Sequence, residues 1–240
     1  MAKFRPTTGK FLVESRAPMI EFARRFRTPC TEQKAELTDK TLVMHMRAGD
    51  VFRKRGWHDS HAQPPCAFYE HVLETGLDGN AFEHGIIVVG EGGHHPCIDF
   101  LVNKFGKKIR VQSSRSLVED ACYIMEAKHV ALSVSALAGG LMHLNWNVRK
   151  AFIPSQDPTS VDMGGNPLLW WDVYVISDGE MPYEQNIYSF PGYDFRRGMR
   201  DSKYMQSYSQ KDLTKKKILA SKSAPKTETP ALTPAKQEAL

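Results

Sequence analysis

The hexapeptide His45-Met46-Arg47-Ala48-Gly49-Asp50 sets two potential cations and a carboxylate around one glycine. It follows the apolar run Thr41-Leu42-Val43-Met44, so it reads as the end of a buried strand. Alternate side chains of a strand point to opposite faces, which puts His45 and Arg47 on the same face. Gly49 permits the turn that brings Asp50 back toward them. An arginine so placed is suited to gripping a diphosphate, because its planar fork makes two charge-assisted bonds at once. An aspartate beside it would orient the guanidinium or a ligand hydroxyl. The same residues also fit a plainer arrangement: a strand-end salt bridge between Arg47 and Asp50, with His45 packed in the core.

A second group of chemically capable residues lies between Gln112 and Gly140. Glu119 and Asp120 fall in the first turn of an expected helix, where carboxylates also favour the helix dipole. Ser116 followed by Glu119 has the spacing of a capping box. Ser133 and Ser135 end a strand and lead into Ala136-Leu137-Ala138-Gly139-Gly140, a helix start whose free N–H groups could receive a phosphate. Small residues there equally suit close packing of helix on sheet.

Two histidine pairs invite a metal reading. In "GEGGHHPC", His94, His95 and Cys97 are all ligand types, but their spacing fits no zinc pattern, and adjacent histidines diverge. Pro96 is expected to open the next helix, with both histidines facing solvent. His58 and His61 lie in a loop flanked by glycine and proline, where a surface position and contact with a ligand or acceptor are both open. No GxGxxG fingerprint, Walker loop or GxSxG elbow occurs, which argues against a nicotinamide oxidoreductase, a P-loop NTPase and an α/β-hydrolase.

These residues need a scaffold, and residues 40 to 154 alternate between two textures. "TLVMHM", "GIIVVG", "KIRVQ", "VALSVS" and "RKAFIP" read as strands. Between them "PPCAFYEHVLETG", "PCIDFLVNKFG", "SLVEDACYIMEAKH" and "ALAGGLMHLNW" read as helices, with prolines at starts and glycines at stops. Strand and helix in alternation with short connections imply an α/β, Rossmann-like parallel sheet flanked by helices. Ligands of such open sheets bind at the C-terminal ends of the strands. Arg47, Asp50, Gly90, Glu91, Gln112, Ser113, Ser133 and Ser135 should all lie along that edge.

Outside this block the pattern weakens. Residues 1 to 39 form an N-terminal segment with one amphipathic helix candidate, "APMIEFARRFR". Residues 40 to 200 make the main domain, in which "LLWWDVYVISDG" is the last clear apolar segment. Residues 201 to 240 are expected to be a disordered basic tail, irregular from about residue 209 onward. That tail holds eight lysines against four acidic residues, about +4 of the chain's formal +5. The basic balance is therefore local, and a nucleic-acid partner is not expected. No run approaches the eighteen apolar residues of a membrane span, and the N-terminus lacks the apolar core of a secretory signal. Cys30, Cys66, Cys97 and Cys122 are scattered without a CxxC pair and read as reduced, buried thiols rather than a disulfide framework.

Taken together, "VMHMRAGDVF" resembles the first donor-binding motif of the fucosyltransferase-like glycosyltransferases, GT-B enzymes that use GDP-sugars. "QPPCAFYEHVL" is similar to the Gln-Pro-Pro-x-x-Phe-Tyr segment of a little-characterised eukaryotic and algal branch of that superfamily. "IIVVGEGGHHPCIDFL" looks like its strand–loop–helix, and "VQSSRSLVEDACYIMEAKHVALSVSALAGGL" like its final donor-site block. The likeness covers roughly residues 40 to 153.

The resemblance implies that Arg47 grips the β-phosphate of a nucleotide sugar. His45 would shape or contact the donor pocket, and Gly49 would let the backbone come close. Asp120, or else Glu119, would face the nucleoside, while Ser133, Ser135 and nearby N–H groups would bind phosphate. Asp50, Gln112 and Ser113 complete the substrate-binding set. Such transferases work without a metal, so the nucleotide sugar enters as substrate and no cofactor is expected. The acceptor would be a glycan or glycoprotein. Only about 40 residues precede the motif, which leaves the acceptor half of the GT-B architecture and its catalytic base unassigned. A non-catalytic descendant that binds a nucleotide or a protein partner is the second reading, and an unrelated α/β nucleotide-binding enzyme the third. On location the resemblance points to the secretory pathway, whereas the missing signal and unpaired thiols point to the cytosol.

Overall fold

A computed structural model of the chain describes residues 30–52, 62–90, 94–112, 116–145, 147–155 and 184–218. The helix expected at residues 17–27, the His58 and His61 loop, Glu91, Ser113 and the 168–179 apolar segment lie outside them, as does the side chain of Asp50.

Among the described residues, the five expected strands join two that the sequence did not announce in one seven-stranded sheet. Its strands are β1 (Thr41–Met46), β2 (His84–Val89), β3 (Ile109–Gln112), β4 (His129–Ala131), β5 (Lys150–Pro154), β6 (Glu184–Ser189) and β7 (Thr214–Ile218). They lie in the order β3-β2-β1-β4-β5-β6-β7. The first six run parallel, and β7 runs antiparallel to β6. This is a Rossmann-like α/β fold.

The sheet is covered on both faces, which is why its central strands read as unbroken apolar runs. Leu42, Met44 and Met46 of β1 pack against one layer. That layer holds α2 (Cys66–Thr75), α3 (Pro96–Phe105) and α7 (Ser202–Ser207). Val43, between them, turns the other way to meet α4 (Leu117–Glu126) and α5 (Ala136–His143). Leu37 joins that second layer from the end of α1 (Thr31–Glu36). Full burial of each such aliphatic side chain contributes about 1.5–3 kcal/mol. Gly85 keeps β2 close to its neighbours, since a Cβ there would stand 2.7 Å from Ile109 Cδ1 and 2.8 Å from Met44 Cε.

Helix boundaries follow the local chemistry. Pro65 sits at the N-cap of α2 and Pro96 at the first position of α3. Gly106 closes α3 with φ +54°, a left-handed conformation that glycine adopts without strain. Ser116 does occupy the N-cap of α4, but its hydroxyl makes no capping bond, so the expected capping box does not form.

Three expectations need correction. The cysteines are not reduced thiols: Cys30 is bonded to Cys122 and Cys66 to Cys97. No CxxC spacing announced them because both pairings are tertiary. The first ties the start of α1 to α4 across 92 residues, and the second joins the opening turns of α2 and α3.

The basic segment is not irregular from its start. Short helices α6 (Phe195–Gly198) and α7 are each capped by an aspartate, Asp194 Oδ1 accepting from Arg197 N–H and Asp201 Oδ1 from Tyr204 N–H. Tyr193 stacks on Tyr204 at 5.4 Å. β7 then adds itself to the sheet, Lys217 pairing with Glu184 at 2.6 Å while Lys215 lies over the Tyr188 ring. Two of the lysines that suggested a solvated tail, Lys215 and Lys217, are thus edge-strand residues with partners on β6.

β4 is shorter than the run "VALSVS" suggested. After Ala131, Leu132 still bonds to Phe152 O, but Ser133 leaves the ladder to bond elsewhere.

Candidate functional site

Neighbouring strands β1 and β4 carry the chain away in opposite directions, β1 toward β2 and β3, β4 toward β5 and β6. Such a switch point opens a crevice at the C-terminal ends of its two strands, where ligands of α/β sheets bind. Val43 pairs with Val130 and Met44 with Ala131, so His45, Arg47 and Ser133 all fall just beyond the paired region.

Ser133 holds the end of β1 in place. His45 Nδ1 lies 2.7 Å from Ser133 Oγ, and the same oxygen accepts from Arg47 N–H at 3.2 Å. Tyr69 of α2 donates to the carbonyl of His45 at 3.4 Å. Burial holds His45 neutral, drawing its pKa down to about 4, and the Arg47 charge adds to the effect. Burial also pushes the Tyr69 hydroxyl well above its ordinary value, so it stays protonated as a donor.

Beyond the strand, Arg47 is half-exposed and the chain turns sharply into the one-turn 3-10 helix Gly49–Phe52. Gly49 is required for its conformation, with φ +71°. A Cβ there would meet no protein atom within 4 Å, so the turn and not protein packing is what calls for glycine. Asp50 lies in this turn.

The "QPP" segment explains itself as a clamp on the serine loop. Gln63 is fully buried, and its Nε2 donates to Val134 O at 3.1 Å, between the two serines. Ser135, also buried, is the N-cap of α5 and accepts from Ala138 N–H at 3.5 Å. Both serine hydroxyls thus have structural partners: Ser133 locks the strand end and Ser135 caps the helix.

The remaining expected residues lie further out. Gln112 ends β3 and pairs with Val88, two strands from β1. At the usual strand spacing that is about 10 Å away, so it does not join the His45–Ser133 cluster. Glu119 is exposed, whereas Asp120 is buried in the first turn of α4, a helix that packs across β1 and β2.

His95 was expected to face solvent and does not. Only His94 is exposed; His95 is fully buried at the N-cap of α3, where its Nδ1 accepts from Cys97 N–H at 3.1 Å. Phe52 meets its ring edge-to-face at 4.9 Å, and Tyr69 lies 6.2 Å away. Burial above all pulls its pKa down to about 3, and protonation of the neighbouring His94 or His45 would lower it further. Its Nε2 has no hydrogen-bond partner among the described residues. An orphaned donor of this kind costs about 1–3 kcal/mol. The signal was present in the sequence: a proline opening a helix puts the preceding residue at the N-cap, and an N-cap side chain turns toward its helix.

The site therefore combines one half-exposed cation, two neutral imidazoles and a buried hydroxyl at the mouth of a parallel sheet. Such a set suits an anionic oxygen ligand. Among the described residues, no group of three His, Cys, Asp or Glu side chains could hold a metal ion, and no helix is long and apolar enough to cross a membrane. No family model matches this chain, nor does any curated protein or solved structure.

Proposed function

We propose that this chain binds a nucleotide-diphosphate sugar, of the GDP-fucose type, and transfers the sugar to a glycan or protein acceptor without a metal. The observation that carries the reading is the position of Arg47, just past the end of β1 at the switch point with its backbone N–H held by Ser133. In this reading the guanidinium meets the β-phosphate. As the glycosidic bond to the diphosphate breaks, negative charge grows on the leaving oxygens, and a positioned arginine stabilises it at no reorganisation cost. Neutral His45 keeps the pocket from accumulating further positive charge, and Asp120 supplies a carboxylate for the nucleoside.

The disulfides support the same reading from another direction. Four cysteines joined in two bridges belong in an oxidising compartment, where glycan and glycoprotein acceptors are assembled. The thiol argument for the cytosol no longer stands.

The test is a thermal-shift screen of GDP, UDP, CMP and GDP-sugars against the wild type and Arg47→Ala. A ligand at a hundred times its Kd should stabilise the wild type by about 2.7 kcal/mol, or roughly 5–10 °C in Tm. The Arg47→Ala variant should lose most of that shift. No shift with any nucleotide, or an equal shift in the variant, overturns the reading. A product assay with candidate acceptors then separates a transferase from a domain that binds the nucleotide and transfers nothing.

A further inference from the structure

Four observations converge on the His95 ring. Its Nδ1 is the acceptor for Cys97 N–H, so the neutral ring carries its proton on Nε2. That N–H is fully buried and has no partner among the described residues. Buried donors are seldom left unmade, and the exceptions call for an explanation. Finally, because Nδ1 faces α3, Nε2 on the opposite side of the ring faces away from that helix.

The surroundings of the ring belong to the switch-point site. Phe52, at the end of the turn that follows Arg47, stands edge-to-face against it. Tyr69, its other aromatic neighbour, donates to the carbonyl of His45, and His45 is near enough to disfavour protonation of His95. The ring is also rigidly mounted. The Cys66–Cys97 bridge fastens the opening turn of α3 to that of α2, and Gln206 donates to the carbonyl of Pro96.

We propose that His95 is a ligand-binding residue of this site, its Nε2–H donating to an oxygen of the bound diphosphate. The proposal rests on the nucleotide reading above and deepens it: Arg47 supplies the charge, and His95 supplies a neutral, directional donor. A neutral imidazole does this without adding a second positive charge to the site.

Two substitutions separate this role from a purely structural one. In His95→Asn, the side-chain oxygen can replace Nδ1 as the helix cap, but nothing replaces Nε2–H. In His95→Gln, the side-chain amide reaches the Nε2 position but the cap is lost. With GDP as the probe, titration calorimetry on the folded proteins should show His95→Asn weakened about ten-fold or more, its ligand-free Tm staying within about 2 °C of the wild type. His95→Gln should keep GDP affinity within about three-fold while its ligand-free Tm falls. A structural role reverses the pattern, and equal GDP affinity in His95→Asn and the wild type overturns the proposal. A second reading needs no variant: the Nε2–H resonance of His95 in the wild type should shift on GDP addition, and an unmoved resonance also overturns it. If GDP binding is lost in Arg47→Ala but untouched in His95→Asn, only this inference falls. If the wild type binds no nucleoside diphosphate, both readings fall.

Discussion

His45 Nδ1 and Ser133 Oγ lie 2.7 Å apart although 88 residues separate them along the chain. That bond joins the ends of the two strands flanking the switch point, and its serine oxygen also receives the Arg47 N–H. Ser133→Ala removes both contacts and leaves buried groups unmatched. We expect a loss of about 1–3 kcal/mol in urea unfolding, together with weaker nucleotide binding. An unchanged denaturation midpoint would show that the strand end is held by packing alone.

Stability should depend on pH through the buried histidines. His45 and His95 titrate near 6.5 when unfolded but at about 4 and about 3 in the fold. Between those values the unfolded state binds protons that the folded state refuses. Stability is therefore complete above about pH 6.5 and declines as pH falls, by up to about 1.4 kcal/mol per pH unit for each histidine. The decline from His45 ends near pH 4, and that from His95 near pH 3. Denaturant midpoints measured at pH 7.5 and pH 5 check this, and His45→Asn should flatten the slope.

Reduction should destabilise the protein markedly. On the chain-entropy account, bridges closing 92 and 31 residues contribute about 4–5 and about 3–4 kcal/mol. Adding a strong reductant should lower Tm by roughly 10 °C or more. Cys66→Ser/Cys97→Ser should also weaken nucleotide binding, because that bridge lies beside the His95 cap, whereas Cys30→Ser/Cys122→Ser should act on stability alone. Calorimetry with and without reductant, followed by GDP titration, distinguishes the two bridges.

Gly49→Ala places a side chain at φ +71° in open space. The cost is conformational, about 1–2 kcal/mol. It should appear both in stability and in ligand affinity, because the same turn carries the chain away from Arg47. A stability change without any change in affinity would separate the turn from the site.

Truncation after Leu213 removes β7 and bares the edge of β6, where Lys217 had met Glu184. We expect lower solubility and a lower Tm than for a chain ending after Ile218. Equal behaviour of the two truncations would make β7 dispensable.

Much of this molecule is set by local sequence. Apolar runs of four to six residues, split by helical spacing and bounded by proline and glycine, determined where β1 to β5 and the helices between them fall. They also put Arg47 at the end of the first strand, because short-range periodicity and backbone restriction act within a few residues. Contacts across the chain are a different matter. That β4 lies beside β1, bringing Ser133 to His45, follows from which faces the whole sheet buries, and no local spacing encodes it. The same holds for the pairing of four scattered cysteines and for the lysine-rich β7, whose charges are met by Glu184 and Tyr188. His95 stands between these cases. Its place at the start of a helix was written in the following proline, but only the packing of Phe52, Tyr69 and the Cys66–Cys97 bridge took it out of water and left its Nε2–H unmatched.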